Sequence, residues 1–190
     1  MTAAVNRTEQ EKELLKAVAR SDRRAFAELY GIYQPRLHGY LRRLLRNPAT
    51  VEEVVDDVMF VVWKDAGKFR GDAAPSSWIF GIAYRTAMSA VRKSGKHNAA
   101  IDRGADVEAI AAEPSREHEL LRVALAELSR DHRQVVELTY FCGFSYQEIA
   151  EIADCPVNTV KTRMFHARRR LKYLLPILAG ENKEQHRGRA

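Results

Sequence analysis

Apolar positions along the chain fall at helical spacing almost throughout. A short helix is predicted over residues 8–19, and a second begins after Ser21 and runs to about Arg46, where Phe26, Leu29, Tyr33, Leu37, Tyr40, Leu41, Leu44 and Leu45 recur along one side. Pro35 is a position at which this helix could kink. The NPAT stretch at 47–50 breaks the pattern, and Thr50 with Glu53 three residues later reads as a capping box opening a helix over 51–66. KFRGDAAP (68–75) has the Gly, Asp and Pro of a loop. A helix from Ser76 to Lys93 follows, with Ile79, Ile82, Ala83, Ala90 and Val91 as its apolar face.

From Lys96 to Arg116 the pattern gives way to small and polar residues with Asp102, Asp106, Glu108 and Glu113, an acidic linker. Helical spacing resumes at 117–129 and 132–141. Ser145 and Glu148 form a second capping box before SYQEIAEIA, a DCP turn follows, and a long basic helix runs from Val157 to about Leu175. The pattern therefore predicts an all-α protein of two small helical domains, 8–95 and 117–178, joined by a flexible linker at 96–116 and ending in a solvated tail at 179–190.

Composition narrows the function. Of 190 residues, 46% are hydrophobic and 29% charged, which suits a globular chain long enough for two modest cores. A formal net charge of +6 favours a polyanionic partner. The two cysteines, Cys142 and Cys155, form no CxxC pair, so a disulfide framework or zinc cluster is not expected, and their default role is packing rather than redox sensing. The six histidines share no ligand spacing. Neither a nucleophile triad nor a Gly-rich phosphate loop can be assigned, which leaves an enzyme reading and a cofactor without support. The charged N-terminal stretch is no secretory signal, and no run approaches the roughly 18 apolar residues of a membrane span, so a cytoplasmic protein without membrane insertion is expected.

Residues 145–175 fit a helix-turn-helix, in which the first helix braces the second in the DNA major groove. Val160, Met164, Ala167, Leu171 and Leu174 share one face of the second helix and should pack inward. The opposite side offers Asn158, Thr162, Phe165, His166 and Arg169, flanked by Thr159, Lys161 and Arg168, with Pro156 just ahead. Asn158, Lys161 and Thr162 can reach base edges, Arg163, Arg168, Arg169 and Lys172 can neutralise phosphates, and Phe165 can touch a thymine methyl. A basic amphipathic helix could equally be a solvated face or dock on an acidic protein.

In the first domain Trp78, Gly81, Arg85, Met88 and Arg92 share a face away from the apolar one. Trp78 is either a core residue at the loop junction or a platform for an unpaired base whose phosphates the arginines hold.

The segments AFAELYGIYQPRLHGYL and TVEEVVDDVMFVVWKDAGKFRGDAAPSSWIFGIA resemble region 2 of the extracytoplasmic function sigma factors of the sigma-70 superfamily. LSRDHRQVVELTYFCGFSYQEIAEIADCPVNTVKTRMFHARRRL resembles their region 4, and the likeness spans about residues 12–175. It implies a subunit that binds core RNA polymerase and directs it to promoters through minus-35 and minus-10 DNA elements. By this resemblance Glu53, Asp56, Asp57, Phe60 and Trp63 are candidate polymerase contacts, although Phe60 and Trp63 could also be core. Phe69, Arg70, Ser77, Trp78 and Arg85 are candidates for the melted minus-10 element, and the NTVKTRMFHARRR helix for minus-35. Gly81 stands where the family often has a basic residue and Arg85 where it commonly has Asn, which puts the preferred minus-10 bases in question. The resemblance further implies an anti-sigma factor as partner, with any zinc belonging to that partner. The linker's acids either occupy a channel built for RNA or are those of any solvated linker.

Overall fold

The computed structural model describes residues 2–45, 47–95 and 115–180. They form α1 (Thr2–Ala19), α2 (Arg23–Leu44), α3 (Pro48–Asp65), a 3-10 turn at Ala66–Lys68, α4 (Pro75–Gly95), α5 (Arg116–Ala126), α6 (Arg130–Tyr140), α7 (Tyr146–Ala153) and α8 (Val157–Ala179), with no strand among the described residues. The acids Asp102, Asp106, Glu108 and Glu113, and the tail beyond Gly180, lie outside the described residues.

Short polar side chains set the helix starts. Asp22 accepts from the backbone N–H of Arg24 and Ala25 at 2.8 and 3.1 Å, satisfying donors that the first turn of α2 leaves free. Ser115, Ser129 and Ser145 each accept from the N–H three residues on, opening α5, α6 and α7. At Ser145 the capping box is complete: Glu148 reaches back to accept from the Ser145 N–H at 2.8 Å. The box expected at Thr50 and Glu53 is not the start of α3. Asn47 caps that helix, accepting from Ala49 N–H at 2.9 Å, and Pro48 occupies the first helical position, where its missing N–H has no bond to lose. α2 continues through Pro35, and α8 runs four residues beyond Leu175, through Pro176, to a left-handed Gly180.

Helices α1 to α4 enclose Leu29, Tyr33, Leu37, Leu41, Val58, Met59, Val62, Ile79 and Ala83. Within this group Glu11 is buried but paired: it accepts from the Tyr33 hydroxyl at 2.6 Å and lies 3.4 Å from Arg36. α5, α6 and α7 pack around α8 over Leu138, Ile149, Ile152, Val160, Met164 and Ala167. Arg133 donates to the carbonyls of Leu125 and Ala126, closing the C-terminus of α5 against α6.

The pattern predicts two helical groups joined by a linker; in the structure their cores run together. α4 packs along α7, and Phe80 meets Phe144 edge to face at 4.9 Å while also touching Tyr40 at 5.3 Å. Arg43 stacks over Phe141 at 4.3 Å. This seam is not wholly apolar. The Tyr40 hydroxyl, the Gln134 amide and the Glu137 carboxyl are buried together there, with Gln134 close enough to Tyr40 to act on it as a hydrogen-bond partner.

Candidate nucleic-acid and polymerase interfaces

α7 and α8 meet through a turn at 154–156. Asp154 ends α7 in the left-handed region (φ 49°), Cys155 donates its N–H to Ala150 O at 3.0 Å, and Pro156 is the N-cap of α8. Val160, Met164, Ala167 and Leu174 face inward as the spacing predicts, with Leu171 partly buried against the core. Asn158, Lys161, Thr162, Phe165, His166, Arg168 and Arg169 are exposed on the other side, Thr159 is half-buried beside them, and Pro156 is exposed at the helix entrance. Phe165 stands 62% exposed, an apolar ring kept in water on a basic helix. The Thr162 hydroxyl donates back to Asn158 O at 2.9 Å.

Arg163 departs from this group. Its guanidinium turns to α6 and pairs with Asp131 at 2.5 Å, its side chain only 24% exposed, and another nitrogen approaches the Cys155 sulfur at 3.9 Å. Arg168 is oriented by a contact the helical pattern did not show: it donates to the Tyr140 hydroxyl at 2.8 Å. His166 stacks on His132 at 5.9 Å. Together with Glu127, Ser129, Arg169, Arg170 and Tyr173 these rings line a shallow groove. Among the described residues no group of three or more His, Cys, Asp or Glu could hold a metal.

α3 presents a different chemistry. Val54, Val55, Val58, Met59 and Val62 bury one side, which leaves Glu53, Asp56, Asp57 and Phe60 exposed on the other, Phe60 at 64%. The Tyr30 hydroxyl donates to Asp56 at 3.0 Å. Trp63 is half-buried and packs on Phe26 at 5.1 Å. An apolar ring flanked by carboxylates suits a partner surface that is itself apolar and basic.

The loop after α3 and the start of α4 hold Phe69 against Trp78 at 5.5 Å, both half-buried. Trp78 packs on one side and meets solvent on another. Arg70 is exposed beside Asp72 at 3.4 Å. The face expected to be free along α4 is only partly so. Ser77, Gly81 and Met88 are buried, and α7 lies over Gly81, because docking between the helical groups gives α4 a second contact side. Arg85 remains exposed and folds back so that its Nη1 lies 3.3 Å from where a Gly81 Cβ would stand. A cation therefore hangs over position 81, although residue 81 has none. Cys142 and Cys155 are free thiols, and burial pushes Cys142 up to about 11, far from a reactive thiolate.

Comparison with known proteins matches this layout. The family described as Sigma-70 region 2 covers residues 29–97, and that described as Sigma-70, region 4 covers 118–171. RNA polymerase sigma-H factor of Pseudomonas aeruginosa is 32% identical over 186 residues, spanning 90% of this chain and 96% of its own. ECF RNA polymerase sigma factor SigK of Mycobacterium tuberculosis is 32% identical over 175 residues, spanning 86% and 92%. The chain belongs to the sigma-70 family, in its extracytoplasmic function branch. Among solved structures, CnrH in complex with the cytosolic domain of CnrY shares the fold at a TM-score of 0.67 and 22% identity over 88% of this chain and 98% of that one. The sigma factor RpoE in complex with the anti-sigma factor NepR from Bartonella quintana aligns at a TM-score of 0.64 and 28% identity, over 80% of this chain and 97% of that one.

Proposed function

We propose that this protein binds core RNA polymerase and directs it to promoters, reading the minus-35 element with α8 and holding the melted minus-10 element with the 69–78 loop junction and α4. The observation that carries this reading is the coexistence, in one chain, of a capped helix-turn-helix with a solvent-facing basic helix and of α3 with its exposed Phe60 among carboxylates. A dimeric helix-turn-helix regulator needs the first feature and has no use for the second. Asn158, Lys161 and Thr162, one turn inside α8, are assigned to base edges, and Arg168 and Arg169 to phosphates. Glu53, Asp56, Asp57 and Phe60 are assigned to the polymerase, with Trp63 supporting that face from within.

Phe69 and Trp78 can stack an unpaired base, and Arg70 and Arg85 can hold its phosphates. The protein carries out no chemistry of its own in this scheme. Solved relatives pair with anti-sigma factors or a cytosolic domain, which supports an anti-sigma partner here. None of the described helices is long and apolar enough to cross a membrane, which is compatible with work in the cytoplasm. Transcription in vitro with purified core polymerase over a promoter library tests the proposal. Initiation confined to templates sharing a paired minus-35 and minus-10 motif is expected, and initiation indifferent to adding the protein would overturn it.

A further inference from the structure

α6 crosses beneath α8, and its two ends come out on opposite edges of that helix. At one end the Tyr140 hydroxyl holds Arg168 at 2.8 Å, and at the other His132 stacks on His166 at 5.9 Å with the ring planes 25° apart. His166 and Arg168 are two residues apart on α8, which puts them about 160° apart around it at ~100° per residue. His132 and Tyr140 are eight residues apart on α6, ~12 Å at ~1.5 Å per residue, about the width of the major groove. A duplex that admits α8 runs a phosphate backbone along each of its edges. Arg168 faces one of them, and the edge with the two histidines is left facing the other.

The chemistry of that second edge suits an anion. His132 is half-buried at the start of α6, His166 is exposed, and Arg169, Arg170 and Tyr173 continue the groove along α8. Arg170 lies over the Tyr173 ring at 5.6 Å, and neither it nor Arg169 makes an ion pair among the described residues. The acids nearby do not cancel these cations. Asp131 is taken by Arg163 at 2.5 Å, an ion pair between α6 and α8, and Glu127 at the end of α5 is the carboxylate that lines the groove. Charging the stacked rings sets like charges side by side next to two guanidiniums, a repulsion that a bound anion relieves.

We propose that His132, His166 and Arg170 form a second phosphate-binding edge of the helix-turn-helix, which takes one backbone phosphodiester of the strand opposite to the one met by Arg168 and takes up a proton as it does so. This rests on the assignment of α8 to duplex DNA. Histidine changes charge between pH 5 and 8, and a phosphate beside it favours the charged form. The DNA-bound protein therefore holds the proton more tightly than the free protein. Affinity rises as pH falls and loses that support as pH rises through the same range, by about tenfold between pH 6 and pH 8.

The test uses the full chain and duplexes drawn from the promoter library, titrated at pH 6 and pH 8 over several salt concentrations. Wild type should bind about tenfold tighter at pH 6, with a salt slope steeper by about one. His132→Gln, its folding checked by unfolding temperature, should shrink this gain to about threefold or less. His132→Lys carries a fixed charge and should bind at pH 8 about as tightly as wild type does at pH 6. Arg168→Ala, on the opposite edge, should weaken binding at both values and keep the gain. Uncharged methylphosphonates substituted for single phosphates should cancel the wild-type gain at one position of one strand. An undiminished gain in His132→Gln, or a gain that survives every methylphosphonate, would overturn this edge while leaving α8 on its duplex. A chain that binds no duplex of the library at either pH would overturn the assignment of α8, and the edge with it.

Discussion

Two helices of this protein are assigned to DNA, and they stand in opposite conditions. α8 shows most of its polar side to solvent: Lys161 and Arg169 make no ion pair among the described residues and Phe165 is open, while Arg163 turns to Asp131. α4 shows only part of its own, with Trp78 half-buried on Phe69, Ser77 and Gly81 beneath α7, and Arg85 bent over position 81. Duplex reading needs a rigid helix presented whole, and α8 gets its rigidity from a buried stripe that never faces DNA. Strand capture needs a surface that becomes useful only after the duplex opens, and its cover can double as an apolar contact. Of the two helices, α8 therefore offers the more exposed polar side and α4 the more covered one.

The largest way to break this contrast is to remove the aromatic that spans the two groups. Phe144→Ala should cost about 3–5 kcal/mol in denaturant unfolding, as expected for a buried aromatic, and should make α4 as accessible to hydrogen exchange as α8. Unchanged protection of α4 would show that Phe144 does not hold the seam.

Within α8 itself, Lys161→Ala should lose about 1–3 kcal/mol on the preferred minus-35 sequence and relax discrimination at one or two positions, whereas Arg169→Ala should weaken every duplex alike and lower the salt slope by about one. Titration against single-base variants at several salt concentrations separates the two patterns. A uniform loss for Lys161→Ala would make it a phosphate contact.

A comparable effect at a different partner is expected from Asp57→Arg, which should weaken assembly with core polymerase by at least tenfold and leave minus-35 binding intact. Trp63→Ala is a poorer probe, since losing its contact with Phe26 also disturbs the core. The smallest expected effect is Ser145→Ala: without its capping box α7 should lose about 1 kcal/mol, read in thermal unfolding, with base preference unaltered.

The inward stripe of α8 and the Ser145 box were legible from the sequence, because both are written within a few residues: a 3.6-residue period and a pair three apart. The acids of α3 were singled out through the family resemblance and not through period, and the structure has them exposed. The hidden side of α4 was not legible. Gly81 and Met88 fall on the side opposite Ile79 and Ala83 by period alone, and only the docking of a helix some 65–70 residues later in the chain buries Gly81. The Arg163 ion pair was not legible for the same reason, since Asp131, its partner, comes from another helix. At the start of α3 a local rule competed with a better local rule: Asn47 followed by Pro48 caps earlier than Thr50 could.

Thr162 carries a consequence for how α8 distinguishes bases. With its Oγ1 donating to the Asn158 carbonyl, the side chain has used its one donor and has its methyl left to offer a base. To a base pair it is then closer to valine than to serine. Its preference should be for the carbon-rich edge of thymine, a matter of fit and not of charge, and it should be nearly blind to ionic strength. Of the exposed polar side chains on that helix, Thr162 would be the one that reads DNA by touch.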